Sequence, residues 1–241
     1  MTSTQERQLL RETVAALVGK HASSEAVRRA MESPRGYDES LWSMLCEQVG
    51  VAALVVPEEF GGAGGELADA AAVLEELGRS LVPTPLLGTT LAELALLAAD
   101  QPDGDTLEQL ASGGLIGAVV FDRDYVINGD IADVVVAVQD ARLARWTDVT
   151  AVPEHSLDPT RRLARVTPGE STAIGSDPGL ADLAAILLAA EQIGAAAQCL
   201  ERTVDYTRQR IQFGRPIGSF QALKHRMADM YVAVQLSLIH I

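Results

Sequence analysis

Leu9, Leu10, Val14, Leu17 and Val18 recur at the three- and four-residue intervals of one helix face, so residues 4–32 read as a helix. Ser33 to Asp38 (SPRGYD) breaks it. Leu41, Trp42, Leu45 and Val49 mark a second helix, ended by Gly50. A third runs from Leu67 to Leu77, with Leu67, Ala70, Ala71, Leu74 and Leu77 on one face and Gly78 as its cap. Val82 to Pro85 (VPTP) turns the chain into a fourth helix, Leu86 to Ala99.

The period then changes. Gly117–Phe121, Tyr125–Ile127, Val134–Val138 and Ala141–Trp146 are short, β-branched runs with turn residues between them, Asn128-Gly129 and Gln139-Asp140. Val149–Val152 and Leu163–Val166 add two further strands, and the β module ends near Pro168. Helix returns after SDPGLAD, where Asp177 or Ser176 caps the start and Pro178 falls in the first turn. Leu183, Ile186, Leu187, Ala190, Ile193, Ala197, Leu200 and Val204 form a long apolar stripe, and Gly194 to Ala197 admits a close neighbour. A last helix opens at Ser219, with Phe220, Leu223, Met227, Met230 and Val234 on one face. The fold class is therefore mainly α with a small β module between two helical blocks.

Composition narrows the function. The 241 residues are 48% hydrophobic but only 4% aromatic, which suits helices packed through small side chains. A net charge of −14 argues against nucleic acid as a partner. The most apolar stretch, Leu180 to Leu200, contains Asp182, Glu191, Gln192 and Gln198, so no membrane span is expected. The N-terminus lacks an apolar signal core, and Cys46 and Cys199 stand far apart in no motif. Both cysteines read as small core residues of a reduced compartment, and the expected location is cytoplasmic.

Chemistry is concentrated late in the chain. Gly61 to Gly65 resembles a phosphate loop only at first sight: Glu66 follows where a P-loop needs Lys, and a dinucleotide fingerprint needs another glycine spacing. A tight turn with left-handed glycines is the better reading. His21, His155, His225 and His240 show no ligand spacing for a metal. Ser156 to Arg162 (SLDPTRR) reads as a solvated loop. In contrast, RQRIQFGRPIGSFQ places Arg210, a buried-looking Phe213 and a Gly-Arg-Pro turn directly before the opening of a helix at Ser219 to Gln221. Cations, helix N–H groups and an aromatic edge would suit an anion, and a diphosphate-linked cofactor more than a lone metabolite.

Two segments carry a resemblance. RQRIQFGRPIGSFQALKHRMADM is similar to the acyl-CoA dehydrogenase signature, R-x-x-FG-x-x-I-x-x-F-Q followed by a helix with M-A-D-M. Leu41 to Pro85 resembles the family's N-terminal pattern, with V-P-E-E-F-G-G-x-G and E-E-L-G-R. The resemblance implies an N-terminal all-α domain (1–112), a shortened middle β domain (113–168), the start of a C-terminal helical domain (169–235) and FAD as cofactor. It implies oxidation of an acyl-CoA thioester to its 2,3-enoyl form, with a flavoprotein as electron acceptor. Arg210 would pair with the FAD diphosphate of a neighbouring subunit, Gln212 and Phe213 would contact the dinucleotide, and Gln221 would hydrogen-bond to it. A homo-oligomer, or a hetero-oligomer with a related subunit, follows; the alternatives are a non-catalytic partner subunit of a heteromeric acyl-CoA dehydrogenase, and a non-enzymatic helical assembly protein that has lost the flavin.

Three departures stand out. The family's T-E-P-x-x-G-S-D-like loop is missing from the β module. The catalytic base is unassigned: in most members it lies beyond this chain's end, and in an isovaleryl-type minority it lies about seven helical turns upstream of the Arg, which lands near Ala184 here, no base. Glu191, on the same helix, reads as solvated or capping. Lastly, Leu236 to Ile241 (LSLIHI) fits the preceding helix poorly and matches the translation of a transposase sequencing-adapter end. Residues 236–241 are therefore expected to be a non-native tail on a C-terminally truncated chain.

Overall fold

The computed structural model describes residues 4–240. The first helical stretch is two helices, α1 (Thr4–His21) and α2 (Ser24–Met31). Ser23 breaks the run: its backbone is extended and its side chain accepts the Ala26 N–H, the usual act of an N-cap. Asp38 caps α3 (Glu39–Met44) in the same way. That helix continues as one π turn to Val49 and stops at Gly50 (φ 75°). Next come α4 (Leu67–Arg79) and α5 (Leu86–Leu97). A further helix, α6 (Gly104–Ala111), was not foreseen, and it buries Leu107 and Leu110. The turn before α4 uses left-handed Gly61 and Gly64, as expected for a connection rather than a phosphate loop.

The β module holds seven strands. β1 (Gly117–Val120), β3 (Val134–Gln139), β4 (Arg142–Thr147) and β7 (Glu170–Ser176) form one sheet in the order β1-β3-β4-β7, with only β1 and β3 parallel. β2 (Val126–Ile127), β6 (Leu163–Thr167) and β5 (Thr150–Glu154) form a second, antiparallel sheet. β7 lies beyond Pro168, so the sheet structure runs past the point where the sequence pattern ended it. The β3–β4 turn is centred on Asp140 and Ala141 (φ 49° and 59°), one residue later than Gln139-Asp140.

The chain then enters α7 (Leu180–Gln209), whose start is bonded by the Asp177 carboxylate to the Gly179 and Leu180 amides. α7 lies along α4, and the contact is made by two glycines facing each other's backbone. A Cβ on Gly78 would sit 2.1 Å from the Glu191 carbonyl oxygen, and one on Gly194 would sit 1.9 Å from that of Glu75. Gly78 is thus a packing residue inside α4, not its cap. By length and composition α7 contains an 18-residue window apolar enough to cross a membrane (mean hydropathy 1.6); in this fold it is the rail on which α4 rests. α1 is clamped to α4 by Arg7 to buried Asp69 (2.8 Å) and Arg11 to Glu75 (2.6 Å). One large core joins the helices to the inner face of the first sheet, and a smaller one fills the β module around Trp146.

After α7, two short strands, β8 (Ile211–Gln212) and β9 (Arg215–Pro216), form a hairpin that leads into α8 (Gln221–His240). Leu236 to Ile239 continue α8 as regular helix, contrary to the expectation of a poor fit, while Ile241 lies outside the described residues.

Candidate functional site

α7 ends because Arg210 leaves helical geometry (φ −71°, ψ 118°) while its N–H still donates to the Tyr206 carbonyl. Gln212 then pairs with Arg215 across a two-residue turn of Phe213 (φ 52°) and Gly214 (φ 76°). This is the left-handed turn that matches strand twist. Glycine adopts it freely, whereas a phenylalanine pays about 1–2 kcal/mol for it. The base of the hairpin is closed by the Ile217 N–H to the Arg210 carbonyl (2.8 Å) and by Gly218 packed on the Thr207 backbone.

Phe213 is therefore not buried. It is 92% exposed at the tip of the hairpin. Its ring meets Phe220 edge-on at 6.1 Å, and the Arg215 guanidinium lies over the other ring at 4.2 Å. Sequence reasoning missed that Arg215–Phe220 stack, although both residues lay inside the motif. Arg210 and Gln212 are exposed on the same hairpin, and Gln221 opens α8 one 3₁₀ turn later. Among the described residues the Arg210 guanidinium has no ion pair. The structure thus brings three of the four candidate residues onto one protruding element and sets the fourth beside its base. A cation, two amides and an aromatic face turned outward are a donor set that fits a diphosphate and a flat ring system.

A second region sits where the β module meets the helices. Tyr37, Leu77, Pro83, Leu87 and Asn128 line a cavity of ≈ 20 Å³, room for about one water. Glu191 borders it and pairs with Arg161 of the β5–β6 loop at 2.9 Å; Arg162 Nε donates to Asp130 at 2.8 Å. Glu191 is thus neither solvated nor capping, and the loop expected to be solvated is anchored at its end by two arginines, although Leu157 is fully exposed. The two cysteines also part company. Cys46 is buried and its thiol is pushed up to about 12, chiefly by burial; Cys199 is exposed on α7.

Comparison with known proteins agrees with these elements. The family model described as "Acyl-CoA dehydrogenase, N-terminal domain" matches residues 4–114, and "Acyl-CoA dehydrogenase, C-terminal domain" matches residues 179–240. A relative from Mycobacterium tuberculosis, "Acyl-CoA dehydrogenase IpdE2", is 68% identical over 97% of this chain and 74% of its own length. Among solved structures, the ChsE4-ChsE5 complex from the same organism superposes with a TM-score of 0.83 at 25% identity, covering 98% of this chain and 76% of that one. A variant of the Tcur3481-Tcur3483 steroid ACAD gives 0.82 at 26% identity, covering 96% and 74%.

Proposed function

Because the chain belongs to the acyl-CoA dehydrogenase family, we propose that it is a subunit of a FAD-dependent assembly that oxidises an acyl-CoA thioester to its 2,3-enoyl form. FAD, when bound, accepts the hydride from the β-carbon. This chain's part is to present the Arg210–Phe213 hairpin to a dinucleotide held largely by another protomer. Arg210 binds the diphosphate, Phe213 and Gln212 cover the dinucleotide, and Gln221 adds a hydrogen bond. One observation carries the reading: an arginine and an almost fully exposed phenylalanine project from a hairpin whose backbone is closed at its base. An apolar ring held outward in a costly conformation fits a surface supplied by a partner.

A second version, that the chain is the non-catalytic partner in a heteromer, is favoured by the junction of β module and helices. Counting back from Arg210 places the isovaleryl-type base near Ala184, which is no base, Glu191 two turns on is committed to Arg161, and the cavity it borders has room for about one water. The Tcur3481-Tcur3483 steroid ACAD and the ChsE4-ChsE5 complex among the structural neighbours, each named for two components, point the same way.

The test is flavin absorbance of the purified protein, alone and with the related subunit it assembles with. Colour from the protein alone supports a catalytic homomer, and colour only in the complex supports the partner version. In either assembly Arg210→Ala should weaken FAD retention about tenfold or more, since a charge-assisted contact contributes about 1.5–3 kcal/mol. Unchanged retention would remove the hairpin from the cofactor site.

A further inference from the structure

A groove of ≈ 360 Å³ runs between α2, the α4–α5 connection, the β5–β6 loop and α7, on a face that no part of the hairpin lines. Its walls combine Val27, Met31 and Leu81 with Arg28, Arg79 and Arg202. In a chain of net charge −14, three guanidinium groups around one apolar trough are a local reversal of sign. Arg79 is engaged, donating to Glu201 at 2.7 Å. Arg28 and Arg202 are exposed and, among the described residues, make no ion pair. Asp158 also lines the groove, but its carboxylate is taken up by the Thr160 amide and hydroxyl within its own turn.

Leu81 gives an independent sign. α4 ends in a pair of bonds, Val82 N–H to the Leu77 carbonyl and Leu81 N–H to the Gly78 carbonyl. In that helix ending the residue at the Leu81 position is left-handed and is usually glycine. Here a leucine holds φ 52° and leaves its side chain half exposed in the groove. Packing of the core does not require it there, so a strained apolar side chain facing a pocket points to something the pocket binds.

We propose that this groove binds an amphipathic anion, a carboxylate head on an unbranched apolar tail, with Arg28 and Arg202 holding the head and Leu81, Met31 and Val27 lining the tail. The volume lies in the range of small-molecule sites. Carboxylate is the natural partner of a planar guanidinium, and the apolar walls add affinity only for a ligand that carries a tail.

Isothermal titration of the full chain with decanoate tests this. Expected is one-to-one binding, with decyltrimethylammonium (same tail, opposite charge) and inorganic phosphate (charge, no tail) at least about tenfold weaker. Equal affinity for either overturns the proposal. Arg28→Gln and Arg202→Gln, both at exposed positions, should each weaken decanoate by about tenfold, and a double variant that binds as the parent does would refute the head site. Location is read separately. Cys199 lines the groove and is exposed, whereas Cys46 is buried, so decanoate should slow alkylation at Cys199; an unchanged rate places the ligand elsewhere and sinks the idea. Leu81→Gly should raise thermal stability while lowering decanoate affinity. Unchanged affinity would take away the tail contact that the proposal needs.

Discussion

Glu93 is a fully buried acid. It lies on α5 with no exposed surface, and neither carboxyl oxygen has a hydrogen-bond partner among the described residues. Burial holds its pKa well above the usual carboxylate range, so the folded protein keeps this proton to higher pH than the unfolded chain does. The contribution of this group to stability is fully present below the unfolded value of 4.5 and is lost as pH rises through the higher folded value. Relative to Glu93→Gln, the parent should lose about 1.4 kcal/mol per pH unit across that window, measured by urea unfolding at successive pH values. Parallel curves for the two proteins would show that Glu93 is ionised in the native state. Cys46 nearby stays neutral throughout, because burial pushes its thiol up to about 12. Glycines make the second residue-scale contrast. Gly194→Ala puts a methyl against the Glu75 carbonyl and should cost about 1–3 kcal/mol as α4 and α7 are forced apart. Gly19→Ala, with nothing within 4 Å, should instead stabilise α1 by about 0.5–1 kcal/mol. Thermal unfolding of both variants checks the sign of each.

At the scale of elements, the hairpin separates stability from function. Asparagine tolerates the left-handed conformation that Phe213 adopts, so Phe213→Asn relieves backbone strain while losing the edge contact with Phe220, worth about 0.5–1.5 kcal/mol. The two effects nearly cancel. Stability should change by less than about 1 kcal/mol, while, on the proposed function, flavin retention in the assembly should fall. A large loss of stability would mean that the ring serves the fold of this chain. The four motif positions were readable from sequence because the hairpin is local: a helix end, a glycine turn and a new helix lie within a dozen residues. The exposure of Phe213 was not readable, since an apolar side chain left at the surface looks the same in sequence as one that faces a core. Similar physics explains the other differences. α1 and α2 share one apolar period, and only the Ser23 cap divides them. α6 shows just two buried leucines, too few to set a period. β7 is largely exposed along Glu170–Ala173, so its polar residues read as loop. Gly78 looked like a stop because glycine usually is one, and the opposing helix that needs it lies more than one hundred residues away in sequence.

For the molecule as a whole, the question is how a helical scaffold and a β module are held in one orientation. α5 packs directly on β1, where the Gly117 N–H donates to the Thr89 hydroxyl at 3.2 Å within the main core. On the far side the module touches α7 through the β5–β6 loop, and the Arg161–Glu191 pair is its charged tie. Both side chains of that pair are only about a quarter exposed (22% and 24%), so it is screened less than a surface pair, and it ties the β5–β6 loop to the rigid α7. Glu191→Gln keeps the size of the side chain, removes the charge and leaves Arg161 half-buried without its partner. The expected cost is about 1 kcal/mol, and it should be local. Hydrogen exchange should speed up across residues 155–162, while the amides of α7, bonded within their own helix and backed by α4, keep their protection. If exchange rose equally along α7, the pair would be holding the helix itself, and the β module would have to be oriented by its core contact with α5 and by the Asp100 N–H donating to the Ile174 carbonyl at 2.8 Å.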